Sequence, residues 1–127
     1  MKKLLTCLFA VLGLTSACGQ KSYENVDVKR FAELIADTNV VVLDVRMADE
    51  FKEGHIGRAV HIDVKQGDFL EKAKAALPTG KTIAVYCRSG RRSANACSQL
   101  SASGYQCVNL RGGILAWVEE QKPVTTE

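Results

Sequence analysis

The sequence predicts a three-layer α/β/α domain with a mainly parallel five-stranded sheet, and three observations carry that prediction. Two short runs of β-branched and apolar residues, 40–43 and 83–86, each end at polar residues. Runs without alternation suit strands of a sheet that is covered on both faces, as parallel sheets are. Segments with helical periodicity lie between and around these runs, which favours an α/β fold. The third observation is the length of 127 residues, which leaves room for one domain.

The elements can be assigned in chain order. Helices are predicted over 28–36, with Asp27 as the N-cap, over 68–77 and over 93–103. Two further strands are predicted over 59–62 and 107–110. Open parallel sheets place their ligand sites beyond the carboxyl ends of the strands. The polar residues that follow the two apolar runs, beginning at Asp44 and Cys87, are therefore expected at one edge of the sheet.

The first 17 residues have the layout of a secretory signal peptide of the lipoprotein type. Residues 1–3 carry positive charge, 4–14 form a predominantly apolar run of 11 residues, and 15–17 are small. Such a run is too short for a membrane-spanning helix. Cleavage before Cys18 would leave an N-terminal cysteine to take up lipid, although Thr15 stands where such leaders usually carry a large aliphatic residue. A soluble secreted protein is the alternative, and both interpretations export the domain.

The rest of the chain divides into a polar tether at 18–24, a domain at 25–121 and a C-terminal tail at 122–127. A multiply acylated Cys18 would anchor the protein firmly to a bacterial membrane from the periplasmic side. The domain itself then needs no membrane-binding face. A monomer is the expected state.

The charge balance argues against nucleic acid as a partner. The formal net charge is +3, and removal of Lys2 and Lys3 with the leader leaves 15 basic against 14 acidic residues. A net charge of +1 does not indicate binding to a polyanion or to an anionic membrane surface. The five cysteines include no C-x-x-C pair and no zinc-type spacing, so no metal site is predicted.

Cys87 follows a predicted buried strand, and the loop after it is rich in arginine and glycine. Backbone N–H groups and a helix N-terminus at that position stabilise a thiolate over a thiol. Arg88, Arg91 and Arg92 add positive charge. Gly90 lets the loop curl so that its amides converge, as in an anion-binding nest. The pattern indicates a thiolate nucleophile for an electrophilic anion, and the alternative is a buried, inert cysteine.

Three ordered motifs resemble the rhodanese family of sulfurtransferases and cover most of the chain after the leader. The N-terminal signature is matched by residues 44–46, 50–51, 54–56, 59 and 62, and the C-terminal one by 112–113 and 116–117. The active-site loop is matched by seven consecutive residues, Cys87, Arg88, Ser89, Gly90, Arg91, Arg92 and Ser93. The resemblance implies the rhodanese-like version of the predicted fold, with Cys87 as the catalytic residue and no organic cofactor.

The resemblance also implies a mechanism. Cys87 attacks the outer sulfur of an anionic donor such as thiosulfate and expels sulfite, and the loop amides hold the persulfide. Cyanide, a small thiol or a protein thiol then removes the sulfur. Arg88 and Arg91 are expected to attract the donor, and Arg92 to brace the loop.

Two other functions use the same features. Related dual-specificity phosphatases and arsenate reductases have one residue more than the six from Cys87 to Arg92, so the loop length favours sulfur chemistry. In the second alternative the domain is a binding or thiol-redox module, in which Cys87 forms mixed disulfides without turning over sulfur.

The remaining conspicuous residues have structural interpretations. Asp44 and Arg46 are candidates to support the site, but an ion pair between Arg46 and Glu50 at i,i+4 spacing is the plainer expectation if that segment is helical. His55 and His61 are expected to be structural, since thiolate attack needs no base. The other four residues have simple expectations: Trp117 lies in the core, Arg111 is solvated, Cys97 lies on the helix after the loop, and Cys107 begins the following strand. Those two cysteines could stay unpaired, form a disulfide, or supply a resolving thiol.

Overall fold

The computed structural model of the protein describes residues 23–127. The predicted signal peptide at 1–17, the lipid site Cys18 and most of the tether at 18–24 lie outside the described residues. Within them the predicted fold class is confirmed: five strands form one sheet in the order β1-β5-β4-β2-β3, and all four pairings are parallel. The strands are β1 Glu24–Val26, β2 Val41–Asp44, β3 Val60–His61, β4 Thr82–Tyr86 and β5 Gln106–Leu110.

Strand β1 is the fifth strand, which the sequence pattern did not locate. It starts at Glu24, so the sheet reaches into the segment predicted as tether. Only Val26 of its three residues is buried. A three-residue edge strand with one apolar side chain carries no periodicity that could reveal it.

Within residues 23–127 five helices accompany the strands: α1 Val28–Ile35, α2 Ala48–Glu53, α3 Phe69–Ala76, α4 Arg91–Ala102 and α5 Gly113–Glu119. The predicted N-cap is confirmed, because the Asp27 carboxylate accepts from the Arg30 N–H at 2.9 Å. Helix α4 starts two residues earlier than predicted. Helices α2 and α5 are short and were not among the three predicted. None of the helices described is both long and apolar enough to cross a bilayer.

The sheet separates two apolar cores, and β4 contributes side chains to both. Ile83 and Val85 point into the core beneath α3 and α4, whereas Ala84 and Tyr86 point into the core beneath α1 and α5. Because both faces of β4 are buried, its sequence is continuously apolar rather than alternating. Trp117 packs edge-on against Phe31 in the second core, as expected for a core residue.

Candidate active site

Cys87 lies at the carboxyl end of the central strand β4, with α4 beginning four residues later. The residue is 1% exposed. Its Sγ accepts hydrogen bonds from the Gly90 N–H at 3.1 Å and from the Ser93 hydroxyl at 3.3 Å. Gly90 has φ +105°, in the left-handed region, and a Cβ there would lie 3.3 Å from the Gly112 nitrogen. Glycine therefore lets the loop turn back so that its N–H meets the sulfur.

The hydrogen bonds around the sulfur decide its protonation. Burial by itself raises the pKa of Cys87. The Ser93 hydroxyl and the backbone N–H groups of Ser93, Gly90 and Ser89 act in the opposite direction and bring the pKa of Cys87 below its ordinary value. Donors aimed at the sulfur stabilise the thiolate because they interact more strongly with the charged form. The sequence-based expectation credited the arginine charges as well; the Arg92 charge does interact with Cys87, but hydrogen-bond donors are the larger cause of the lowered pKa of Cys87.

Helix α5 holds the loop from the other side. The Ile114 N–H donates to the Cys87 carbonyl at 2.9 Å, and the Leu115 N–H donates to the Arg88 carbonyl at 3.2 Å. In a trans peptide the C=O and the following N–H point in opposite directions. Carbonyls directed at α5 therefore turn the next N–H groups of the loop away from that helix. Sequence reasoning recognised the two glycines at the start of α5 only as part of a motif and missed this bracing role.

Gly113 makes that close approach to α5 attainable. Its φ is +60°, and a Cβ at this position would lie 2.2 Å from the Arg88 carbonyl oxygen and 2.7 Å from the Cys87 carbonyl oxygen. No side chain fits at such distances, because the contacts are with backbone atoms and not with the movable end of a side chain. The loop and α5 can pack together only if this residue is glycine.

The three loop arginines differ in their partners. Arg92 makes a bidentate ion pair with Glu50, at 2.8 and 3.0 Å, and so ties the start of α4 to α2. Arg88 and Arg91 are exposed, and within residues 23–127 neither side chain has a hydrogen bond or ion pair. Two cations of the loop are thus available to an anionic ligand, and the third has the bracing position that was expected of it.

Arg46 and Glu50 do not form the predicted i,i+4 ion pair. Arg46 instead pairs with Asp44, with its Nη2 at 2.7 Å and its Nε at 3.0 Å from the carboxylate, and donates a further bond to the Gly54 carbonyl at 2.8 Å. The reason is that α2 begins only at Ala48, so Arg46 lies before the helix and folds back onto the strand. Both members of the pair are buried.

The buried Asp44–Arg46 pair acts on Tyr86 and on the turn at 54–56, and it does not touch the Cys87 sulfur. Burial raises the pKa of Tyr86, and the Asp44 charge and a hydrogen bond with Asp44 reinforce that effect. The Tyr86 hydroxyl in turn accepts from the Ile56 N–H at 3.0 Å. Asp44 and Arg46 therefore anchor the turn at 54–56 to the end of the sheet, and a supporting role is the one their contacts favour.

The two histidines are bound to backbone rather than directed at Cys87. His55 is buried, its Nδ1 lies 2.8 Å from the Phe51 carbonyl, and its ring stacks on Phe51. His61 Nε2 lies 2.6 Å from the Arg46 carbonyl. Both match the structural role expected from the sequence.

Cys97 and Cys107 are free thiols in the core beneath α4. The interaction with the Cys107 thiol, together with burial, raises the pKa of Cys97. No group of three His, Cys, Asp or Glu side chains in the described part of the chain is placed to hold a metal ion.

A nucleophilic cysteine in a cradle of amides, at the carboxyl end of a parallel sheet, defines a class of cysteine-loop group-transfer proteins. Within that class the chain belongs to the rhodanese-like domain family, whose model matches residues 27–120.

Individual relatives agree with this assignment. Thiosulfate sulfurtransferase 18 of Arabidopsis thaliana is 35% identical over 126 residues, which is 90% of this chain and 92% of the relative. The putative sulfurtransferase YtwF of Bacillus subtilis is 43% identical over 88 residues, covering 69% and 82%. The crystal structure of a rhodanese-related protein from Thermoplasma volcanium superposes with a TM-score of 0.74 at 36% identity, covering 83% of this chain and all of that one. These relatives support sulfurtransferase activity of the rhodanese family for this protein.

Proposed function

We propose that the protein transfers sulfane sulfur from thiosulfate to a thiophilic acceptor through a persulfide on Cys87. The observation that carries the proposal is the environment of Sγ, which combines a lowered pKa with converging N–H donors and two unpaired arginines among the described residues. A thiolate is the form that attacks a sulfur electrophile. The name of the Arabidopsis relative points to the same donor.

In the first half-reaction the Cys87 thiolate attacks the outer sulfur of thiosulfate. A bond forms between the two sulfurs, the sulfur–sulfur bond of thiosulfate breaks, and its electron pair leaves with sulfite. Arg88 and Arg91 attract the dianion toward the loop, since neither guanidinium is engaged elsewhere in the described residues. Arg92 keeps α4 in place through Glu50.

In the second half-reaction the Cys87 persulfide reacts with an acceptor. Its terminal sulfur carries negative charge, which the loop N–H groups are suited to stabilise. An acceptor thiolate or cyanide attacks that outer sulfur, and Cys87 departs as a thiolate. The lowered pKa of Cys87 assists here, because a thiol of lower pKa is a better leaving group.

A direct test is mass spectrometry of the protein after incubation with thiosulfate. We expect a gain of one sulfur on Cys87, release of one sulfite, and loss of both in Cys87→Ser. An aryl phosphate should not be hydrolysed. Phosphate release without any sulfur on Cys87 would instead assign the loop to phosphoryl transfer. If the protein neither gained sulfur on Cys87 nor released phosphate, the binding or redox module would be favoured.

We also propose that the protein works outside the cytoplasm, anchored by lipid on Cys18. The proposal rests on the order of charged, apolar and small residues over 1–17, followed by cysteine. Expression of the full chain in a bacterial host and fractionation provide the test. The lipid-anchor proposal predicts that the protein is in the membrane fraction and that Cys18→Ser moves it to a soluble fraction. An unprocessed protein in the cytoplasm would contradict export.

A further inference from the structure

A groove on the β5 side of the Cys87 loop has a cationic lining, of which the proposed loading step uses Arg91 but not Arg111. It has a volume of about 380 Å³, and its lining includes Asn25, Gly90, Arg91, Asn109 and Arg111. The described residues that line it include no Asp or Glu. This volume is within the range of sites for small organic ligands, and it exceeds what one inorganic anion needs.

Among the described residues, neither arginine of the groove is paired with a carboxylate. Arg91 is exposed and, within residues 23–127, makes no ion pair or hydrogen bond through its side chain. Arg111 is exposed as well, and its Nη2 has only a 3.5 Å contact with the Asn25 carbonyl. The 17 basic residues of the sequence include three before position 23, which leaves 14 basic and 14 acidic residues in the described part. Two cations without a carboxylate partner are therefore a local feature and not the result of an overall basic surface.

The floor of the groove is joined to the reactive sulfur. Asn109 is 3% exposed, and its Nδ2 donates to the Asn25 side-chain oxygen at 2.9 Å and to the Gly90 carbonyl at 3.3 Å. The N–H of the same glycine donates to the Cys87 Sγ at 3.1 Å. A single residue thus separates the groove from the sulfur, and its backbone is held on both sides. Because Ser89, Gly90 and Arg91 of the loop line the same groove as Arg111, a small molecule bound there would lie against the loop that holds the sulfur.

We propose that Arg91 and Arg111 bind the carboxylate of a small organic thiol that accepts the sulfur from Cys87. The proposal rests on the proposed function, because it names the acceptor class for the persulfide. The acceptor thiolate attacks the outer sulfur, the bond from that sulfur to Cys87 breaks, and the electron pair stays on Cys87 as thiolate. The proton of the acceptor thiol ends on the new small-molecule persulfide or in solvent. A guanidinium suits this task because it binds a carboxylate in a bidentate manner.

The test compares two acceptors that differ in charge, 3-mercaptopropionate and 2-mercaptoethanol, on protein preloaded with thiosulfate. The measured quantity is the ratio of their second-order rate constants for sulfur removal. Differences in thiol reactivity cancel when that ratio is compared between variants. In Arg111→Gln we expect the ratio to fall about fivefold to tenfold, as for loss of a partly exposed charge-assisted hydrogen bond. Arg111→Lys should recover part of it.

Arg30→Gln is the matched control, since Arg30 is an exposed arginine on α1 whose ion pair, among the described residues, is with Glu33. It should leave the ratio unchanged. Sulfur loading of Cys87 should be the same in Arg111→Gln and in the unaltered protein. An unchanged ratio in Arg111→Gln, with loading intact, would overturn this inference and leave the proposed function standing.

A binding measurement separates the two proposals further. The thioether 3-(methylthio)propionate cannot accept sulfur, so its binding does not depend on transfer. Its addition should shift the backbone amide signals of Gly90 and Asn109 in NMR spectra, and its methyl ester should not. Shifts with neither compound would count against the groove. Shifts with the acid alone, in a protein that fails to load sulfur, would support the groove and overturn the proposed function.

Discussion

Cys87 and Cys97 lie in one apolar core, yet their thiols have opposite chemistry. Both are at most 1% exposed, so burial does not distinguish them. Cys87 lies at the end of a strand, where loop N–H groups and the Ser93 hydroxyl converge on it and lower its pKa. Cys97 lies inside α4, where the backbone N–H groups are used by the helix, and the Cys107 thiol together with burial raises the pKa of Cys97. Free donors, rather than solvent access, make a buried cysteine reactive.

The largest effect expected from this contrast is in alkylation. At neutral pH iodoacetamide should modify Cys87 at least about a hundredfold faster than Cys97, because Cys97 must both lose its proton and become exposed through local opening. Peptide mapping after short exposures measures both rates. In denaturant the rates should converge, which controls for intrinsic reactivity. Equal rates in the native protein would remove the basis for the comparison.

Gly113→Ala is expected to have the next largest effect. Its Cβ would need the space that the Arg88 and Cys87 carbonyls occupy, so the loop must move and its donors must leave the sulfur. We expect sulfur transfer to fall about a hundredfold, as for loss of a positioned set of donors. Gly80→Ala separates the clash from backbone strain, since Gly80 has φ +83° and a Cβ added there would meet no atom within 4 Å. That control should lower stability by about 1 kcal/mol and leave transfer nearly unchanged.

Ser93→Ala tests the donors one at a time. Loss of the 3.3 Å hydrogen bond to Sγ should move the pKa of Cys87 upward. At neutral pH the alkylation rate should fall roughly tenfold, the effect of one hydrogen bond to a charged acceptor. The pH profile of alkylation is the decisive measurement, because only a change in pKa moves its midpoint. A lower rate with the same midpoint would show that Ser93 acts by packing alone.

The smallest effect is expected from Glu50→Gln, and it is an effect on stability. The Arg92 guanidinium, with help from the Met47 N–H, lowers the pKa of Glu50 to about 2 from an ordinary 4.5. Since the folded-state pKa is depressed, the ion pair stabilises the fold above about pH 4.5, and that stabilisation is lost as the pH falls toward 2. At pH 7 the variant should be about 1–2 kcal/mol less stable in urea unfolding, with the difference shrinking below about pH 4. A constant difference across that range would exclude the ion pair as its cause.

Sequence reasoning located the elements that have strong local signals. The apolar runs of β2 and β4 and the Asp27 cap were found because each is encoded within a few neighbouring residues. Strand β1 and the pairing of Arg46 were not found, since β1 has one buried residue and the partner of Arg46 depends on where α2 begins. The Glu50–Arg92 pair spans 42 residues, and no local pattern can indicate a contact of that separation.

The sequence by itself determined the parallel α/β fold and the loop that surrounds Cys87, because strand periodicity, helix signals and the order of arginine and glycine are local properties of the chain. Only the tertiary structure decided which donors reach the sulfur, which of the described arginines remain unpaired and what holds the loop. Those outcomes depend on α5 packing its first turn against the Cys87 and Arg88 carbonyls. They also depend on β5 bringing Asn109 beneath Gly90. Such contacts form only when distant segments pack together, so they are set by distances in space rather than by spacing along the chain.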